Sequence, residues 1–429
     1  MLANKIHRKD YFVSKEVPSL VDITIDVVAK NFNLYPHLGG LKVQDSIDKI
    51  VEKTSPEWPL TITAPNIPHE SYWKRACDHR YKNLRPNDHG WSWKQTYLET
   101  YLQEMLSKHP GTDLTDFLEL LVACKQFVFN LDIEEMPSHM DMRVLFRNIP
   151  CITRLRITYG AKHLGSEYDS SMFGMLMDDA ASLSKCIKNS QCLVSLSLPC
   201  NLIDDDLVKM LVGGLLLNKT LVELDLSHNR IGNNGARRIG KYLFHTEVLS
   251  HLNLEDNVIE YEGSRCIGQA LRNNSSLSYL NLKHNRIEDK AGAKFWVDLH
   301  SNRTLKTLNL GANMLSQLSC EKLVEFLDRE ECFLKHLDIG SNALIDEEAE
   351  ETIREDMVKS VEKLKEVLNK KCPLLKLEIR NNGLPKSMEK EISETVVKNE
   401  LDKRNIPLFT SKPKVSRQSS MKSEPKEEA

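Results

Sequence analysis

Between Leu193 and Asn382 the chain repeats one pattern of apolar and polar positions, L-x-x-L-x-L-x-x-N. Leu193, Leu196, Leu198 and Asn201 make the first full copy. Leu221, Leu224, Leu226 and Asn229 make the second, and Leu249, Leu252, Leu254 and Asn257 the third. Further copies end at Asn285, Asn313 and Asn342, and a seventh (Leu374, Leu377, Ile379, Asn382) follows an insertion. The asparagines step by 28, 28, 28, 28, 29 and 40 residues, a series that defines one structural unit copied in tandem. Within each copy two leucines alternate with polar residues, which predicts a short strand with leucines inward and polar side chains outward. Successive strands then pair in parallel, and the remaining stretch of each unit supplies the crossover helix. Ala236, Ile239 and Leu243 fall on one face of such a helix.

Units of this length and pattern resemble the ribonuclease-inhibitor class of leucine-rich repeats. The resemblance implies an α/β solenoid, with a parallel concave sheet and convex helices. Ile152–Ile157 reads as a degenerate strand ending in Gly160 where asparagine is expected, and Phe127–Ile133 as an earlier, capping strand. The motif asparagines Asn201, Asn229, Asn257, Asn285, Asn313, Asn342 and Asn382 are expected to turn inward and bond loop backbone groups. Loss of one such buried amide should cost about 1–3 kcal/mol. Asn218, Asn274 and Asn302 match the N-x-S/T glycan signature but fall at helix exits, where Asn with Ser/Thr serves a turn.

Alternation places a candidate protein-binding face on the concave sheet: Glu223, Asp225, His251, Asn253, Glu255, Tyr279, Asn281, Lys283, Asn309, His336 and Asp338. It is polar, mixed in sign and mildly acidic at its centre, with Tyr279 as its aromatic anchor. It lacks the basic stripe and aromatic series of a nucleic-acid interface.

The flanks differ in composition. Residues 1–125 hold four of the five tryptophans and read as a mainly helical domain, with amphipathic helices over Tyr97–Leu106 and Leu114–Phe127, the latter capped by Thr112 or Asp113. The solenoid spans 126–398. Its charged insertion, 346–371, is acidic first and basic later, as suits the dipole of a lengthened convex helix. Residues 399–429 are rich in Lys, Ser and Pro and are expected to be a disordered tail, with a kinase-like Arg417-Gln-Ser-Ser420.

Charge and composition narrow the function. Lys and Arg number 58 against 61 Asp and Glu, a net charge of −3, which argues against a strongly basic nucleic-acid binder. No apolar run reaches membrane-spanning length, and the basic N-terminus lacks the apolar stretch of a secretory signal. The ten cysteines are scattered without C-x-x-C pairs, as in a reduced intracellular protein. Gly235-Ala-Arg-Arg-Ile-Gly240-Lys241 imitates a phosphate loop, but Tyr242 replaces the required Ser/Thr and the segment lies within a helix. His69, Cys77, His79 and His89 lack zinc-site spacing. Asp225 and Asp338 sit on an open sheet where nothing is expected to raise their pKa for acid–base work. The chain therefore reads as a non-enzyme that needs no metal or cofactor.

The flanking residues add a family. Val17-Pro-Ser-Leu-Val-Asp22, Pro59-Leu60, Ala64-Pro65-Asn66-Ile67 and Glu70-Ser-Tyr-Trp73-Lys74-Arg75, followed by the repeats, resemble the dynein regulatory complex subunit 5 family. The resemblance implies a scaffold or adaptor in the nexin–dynein regulatory complex of the ciliary and flagellar axoneme. Such a subunit contacts other complex subunits, coiled coils among them, and acts on doublet microtubules and dynein indirectly, without nucleic acid or membrane. Its shorter length than some members leads to the expectation of a missing N-terminal extension. A second class, a leucine-rich-repeat regulator of a small GTPase, resembles the GTPase-activating proteins for Ran, but those carry a strongly acidic C-terminal segment where this chain is Lys-rich. Ribonuclease inhibitors, the third comparison, are cysteine-rich and strongly acidic.

Overall fold

A computed structural model of the chain describes residues 18–38, 41–108, 114–160, 173–329, 331–346, 348–370 and 374–404. The expected cap at Thr112 or Asp113, Cys372 and the segment Arg417–Ser420 lie outside these residues. Six helices come first: α1 (Leu20–Lys30), α2 (Gln44–Lys53), α3 (Leu60–Asn66), α4 (Glu70–Arg80), α5 (Trp93–Lys108) and α6 (Leu114–Cys124). Strands and helices then alternate: β1 (Asn130–Met136), α7 (Met142–Asn148), β2 (Arg154–Tyr159), α8 (Met177–Asn189), β3 (Ser195–Ser197) and α9 (Asp205–Leu215). They continue with β4 (Glu223–Asp225), α10 (Asn233–His245), β5 (His251–Asn253), α11 (Tyr261–Leu271), β6 (Tyr279–Asn281) and α12 (Asp289–Leu299). The last are β7 (Thr307–Asn309), α13 (Gln317–Leu327), β8 (His336–Asp338), α14 (Glu351–Lys370), β9 (Lys376–Glu378) and α15 (Lys386–Arg404). The strands form one parallel nine-stranded sheet in sequence order, so this is a leucine-rich-repeat solenoid.

The leucine period sets the register. Leu196, Leu224, Leu252, Leu280, Leu308 and Leu337 pair strand to strand and are all buried, one residue from each unit. The convex helices approach each other closely at glycine: a Cβ on Gly214 would lie 2.2 Å from the Ser184 carbonyl oxygen, and one on Gly240 2.9 Å from that of Cys266. Gly240 and Lys241 thus belong to the interior of α10, whose packing explains the glycine.

Two sets of asparagines stitch the units. Asn229 Oδ1 accepts from the Asn201 and Ile203 amides of the preceding unit, while its Nδ2 donates to the carbonyls of Leu198, Leu226 and Ser227. Asn257, Asn285, Asn313, Asn342 and Asn382 repeat these cross-unit bonds. Asn201 reaches back to the Tyr159 amide and the Ile157 carbonyl, tying in the degenerate β2. Each motif asparagine follows a residue with positive φ, from 52° at Ala312 to 61° at Asn381, which aims the amide inward. The second set is buried Asn218, Asn274 and Asn302, whose Nδ2 groups bond the carbonyls of Ile187, Leu243 and Leu271 in the preceding unit.

Helix starts are also shared between units. Asp205 accepts from the Gly232 amide before α10, Asn233 from the Glu260 and Gly263 amides at α11, and Asp289 from Ser316, Leu318 and Ser319 at α13. The orphan amides of a helix are thus capped from next door.

The first six helices close the N-terminal edge of the array. Trp73 is buried, stacks edge-on against Tyr72 and donates to the Ile67 carbonyl at 2.9 Å. Glu99 of α5, fully buried, accepts from the Phe129 and Asn130 amides at 2.8 Å each, from Gln95 Nε2 at 2.9 Å, and meets the His89 ring. It satisfies the open edge of the sheet, and β1 accordingly begins at Asn130, three residues later than the pattern indicates. β2 likewise starts at Arg154, two residues after Ile152. One contiguous core runs from Ile25 to Val396. At the other end α14 is a 20-residue helix with Glu351 in its first turn and Lys370 in its last. α15 continues to Arg404, past the expected boundary at 398, because Lys398–Arg404 contains neither Gly nor Pro to break it and Lys, Glu, Leu and Arg favour the helix.

Candidate protein-binding face

Strand pairing assembles the predicted concave residues into two rows. Glu223, His251, Tyr279, Thr307 and His336 are consecutive partners in one, and Asp225, Asn253, Asn281, Asn309 and Asp338 in the other. The second row has a structural duty that the pattern does not reveal. Asp225, Asn253, Asn281, Asn309 and Asp338 each accept, through Oδ1, the amide two residues ahead, at 2.9–3.1 Å. These short Asx bonds end each strand.

Several of the same side chains are engaged again across the sheet. Asp225 Oδ2 accepts from the Ser197 hydroxyl at 2.9 Å. Glu255 accepts from Asn281 Nδ2 at 2.9 Å and pairs with Lys283 at 3.5 Å. Asn281 is consequently buried rather than presented. His251 bonds Ser250 and stacks on Tyr279, ring centroids 5.6 Å apart. Burial, with the charges of Glu255 and Asp225, pushes the Tyr279 phenol above its ordinary value. His336 meets the Thr307 hydroxyl at 3.3 Å. Unlike Asp225, Glu255 and Asp338, Glu223 is neither hydrogen-bonded nor ion-paired through its carboxylate to a described residue, and it stays half-buried. The expectation that nothing raises a concave carboxyl needs one correction: burial lifts Asp338, and the Glu378 charge adds to it.

The rows also extend further than predicted. Arg154 and Arg156 of β2 pair beside Ser195 and Ser197, and Arg156 also meets Asp132 of the edge strand β1 at 3.7 Å, so this end of the sheet is mixed in sign. The same alternation marks them in the degenerate strand read from the sequence, although the predicted face does not include them. A further titratable row lies just beyond the strands, where Asp256 meets His228 at 2.8 Å and His284 at 2.7 Å; the His228 bond holds the Asp256 carboxyl below its ordinary value. The histidines and cysteine weighed as metal ligands go to separate partners: His69 faces Asp48, His79 faces Glu57, His89 faces Glu99, and the Cys77 thiol faces the Trp93 carbonyl. Burial pushes the Cys77, Cys124, Cys186 and Cys320 thiols up to about 12. Among the described residues no helix is long and apolar enough to cross a membrane.

Comparison with known proteins agrees with the repeat architecture. The family model "Leucine Rich repeat" matches residues 217–240 and 273–295. "Dynein regulatory complex subunit 5" of Chlamydomonas reinhardtii is 35% identical over 199 residues, 45% of this chain and 50% of that one. The chain is similar to dynein regulatory complex subunit 5. The subunit 5 of Mus musculus is 32% identical over 230 residues, 47% of this chain and 46% of that protein. The chain spans about half the length of the subunit 5 relatives it matches. A solved structure titled "Crystal structure of TLR13-ssRNA13 complex" aligns over 62% of this chain and 31% of that one, at 19% identity and a TM-score of 0.36. At that score the fold assignment rests on the sheet and the repeats themselves.

Proposed function

We propose that the chain is a non-catalytic scaffold subunit of a dynein regulatory complex in the axoneme, helping to link doublet microtubules and so to regulate dynein-driven beating. Similarity to proteins named dynein regulatory complex subunit 5, found independently in an alga and a mouse, carries the proposal. The architecture supports it: units cross-linked by buried amides make a stiff body, and stiffness suits a part that transmits force between other proteins. The concave sheet docks one subunit through Glu223, Tyr279 and the residues beside them. The helical N-terminal unit docks another, a coiled coil. On α1 Leu20 and Val27 are 80% and 52% exposed while Ile25 and Ala29 are buried, so the helix is apolar on both sides and one side has no cover among the described residues.

A tagged copy in a ciliated cell, followed by salt extraction of axonemes, tests the proposal. The tagged protein should remain with the axoneme, and absence from it would end the subunit reading. Glu223→Lys with Tyr279→Ala should lower the salt needed for release, and so should Leu20→Asp with Val27→Asp. Unchanged release from axonemes in either pair would remove that surface from the contact. Asp225 and Glu255 are poorer probes, because their substitution also breaks a strand-ending bond or the Lys283 pair.

A further inference from the structure

The convex side carries a charge pattern unlike that of the concave sheet. Equivalent positions recur every 28 residues, so Lys209 of α9 lies beside Arg237 of α10, and Lys185, Gly213 and Lys241 occupy one row across α8, α9 and α10. Arg147 of α7 and Arg238 of α10 extend the group to six exposed cations. None of the six pairs with a carboxylate of a described residue. Further along the same surface several cations are neutralised, Arg265 by Glu262 at 2.7 Å, Arg272 and Lys294 by Asp298, and Lys322 by Glu325, although Lys290 of α12 is not ion-paired to a described residue. The acids of α8 and α9 sit in the first turns, and α10 contains none. Among the described residues these like charges lie together with no carboxylate bonded to them, Asp141 acting on Lys185 only at longer range, and a binding partner can supply the counter-charge.

Beside these cations is a groove. α7 has seven residues where α8 has 13, so the last turns of α8 are left uncovered. The resulting cleft of 460 Å³ has apolar walls from Phe146, Pro150 and Cys151, a buried Cys186 at its base, and Arg147 and Lys185 at its mouth. Arg143 also lines it but is paired with Asp141.

We propose that the convex face across α7–α10 binds an acidic polypeptide segment, its carboxylates on the unpaired cations and an apolar side chain in the α7–α8 groove. A polyphosphate strand would meet the charge but not the cleft, and the exposed apolar residues nearby, Leu217 and Phe244, do not form a stacking series for bases. The inference does not rest on the subunit reading, since it concerns a different surface and a purified protein.

Fluorescence anisotropy of the full chain with a labelled glutamate-rich peptide containing one phenylalanine tests it. A peptide without the phenylalanine and a single-stranded oligonucleotide of equal charge run alongside. The phenylalanine peptide should bind tightest. Arg237→Glu with Lys241→Glu should weaken it about tenfold, and raising salt from about 50 to about 200 mM should weaken it further. Arg237→Gln with Lys241→Gln should show a smaller loss in the same direction, and serves if the acidic pair misfolds. Arg147→Glu with Lys185→Glu should abolish the advantage given by phenylalanine, whereas Glu223→Lys on the concave side should change nothing. Absence of peptide binding, equal binding by wild type and convex variants, or tighter binding of the oligonucleotide would overturn the proposal.

Discussion

Replacing Glu99 should uncouple the N-terminal helices from the sheet they cap. The carboxylate is fully buried and carries the edge-strand amides of Phe129 and Asn130, together with Gln95 and His89. Glu99→Ala leaves two sheet-edge N–H groups without acceptors in a site that water does not reach. Each unsatisfied donor costs about 1–3 kcal/mol. Allowing for partial collapse of the site, the loss should be about 3–5 kcal/mol, comparable to breaking a buried charged pair. Glu99→Gln keeps the carbonyl oxygen that accepts both amides and loses the charge and the oxygen that meets His89, so it should cost about 1–2 kcal/mol. Because the array is nearly one-dimensional, the damage should be local to the N-terminal units rather than a uniform loss. Amide hydrogen exchange reads this directly: protection at Phe129 and Asn130 should fall strongly in Glu99→Ala, modestly in Glu99→Gln, and hardly at all around β6 and β7. Equal effects of the two substitutions, or a protection loss spread evenly over the sheet, would refute the reasoning.

Two further predictions concern stability. Asn257→Ala should destabilise by about 2–4 kcal/mol, since Ile231 N–H loses its acceptor and three carbonyls lose a donor. Asn257→Asp should be worse in a urea melt because it buries a charge and still removes the donor. For Glu104, burial raises the carboxyl, but bonds from Lys108, Tyr81 and Arg80 outweigh it and bring it down to about 2. A folded pKa below the unfolded one gives stability that is present above the unfolded value and lost as pH falls through the folded one. After discounting for solvent screening of this partly exposed network, Glu104→Gln should therefore cost about 1–2 kcal/mol at neutral pH, with the difference from wild type shrinking between about pH 4.5 and pH 2. Urea melts at several pH values check it, and a constant difference would contradict the assignment.

The sequence by itself determined the solenoid. A period near 28 residues, two alternating leucines and an asparagine dictate a strand, an inward turn and a crossover, and their repetition leaves parallel stacking as the way to bury every leucine. Asn218, Asn274 and Asn302 were legible as turn residues for the same reason. What the pattern could not reveal were the duties of polar residues whose partners lie in another unit. Asp225 and Asn281 read as presented side chains, yet one ends its strand and the other is buried against Glu255, because only register fixes which neighbour is within reach. Asp289 lies in the first turn of α12, and the structure sets it to cap the next helix. Glu99 carries no motif at all. Its role arises because packing of six helices against one edge brings a carboxylate to two unpaired amides some 30 residues away. The convex cations sit at spacings the sequence contains, but whether a charge is neutralised depends on side chains of adjacent helices. Local periodicity therefore fixed the backbone, and three-dimensional proximity fixed which polar groups are occupied and which remain free for a partner.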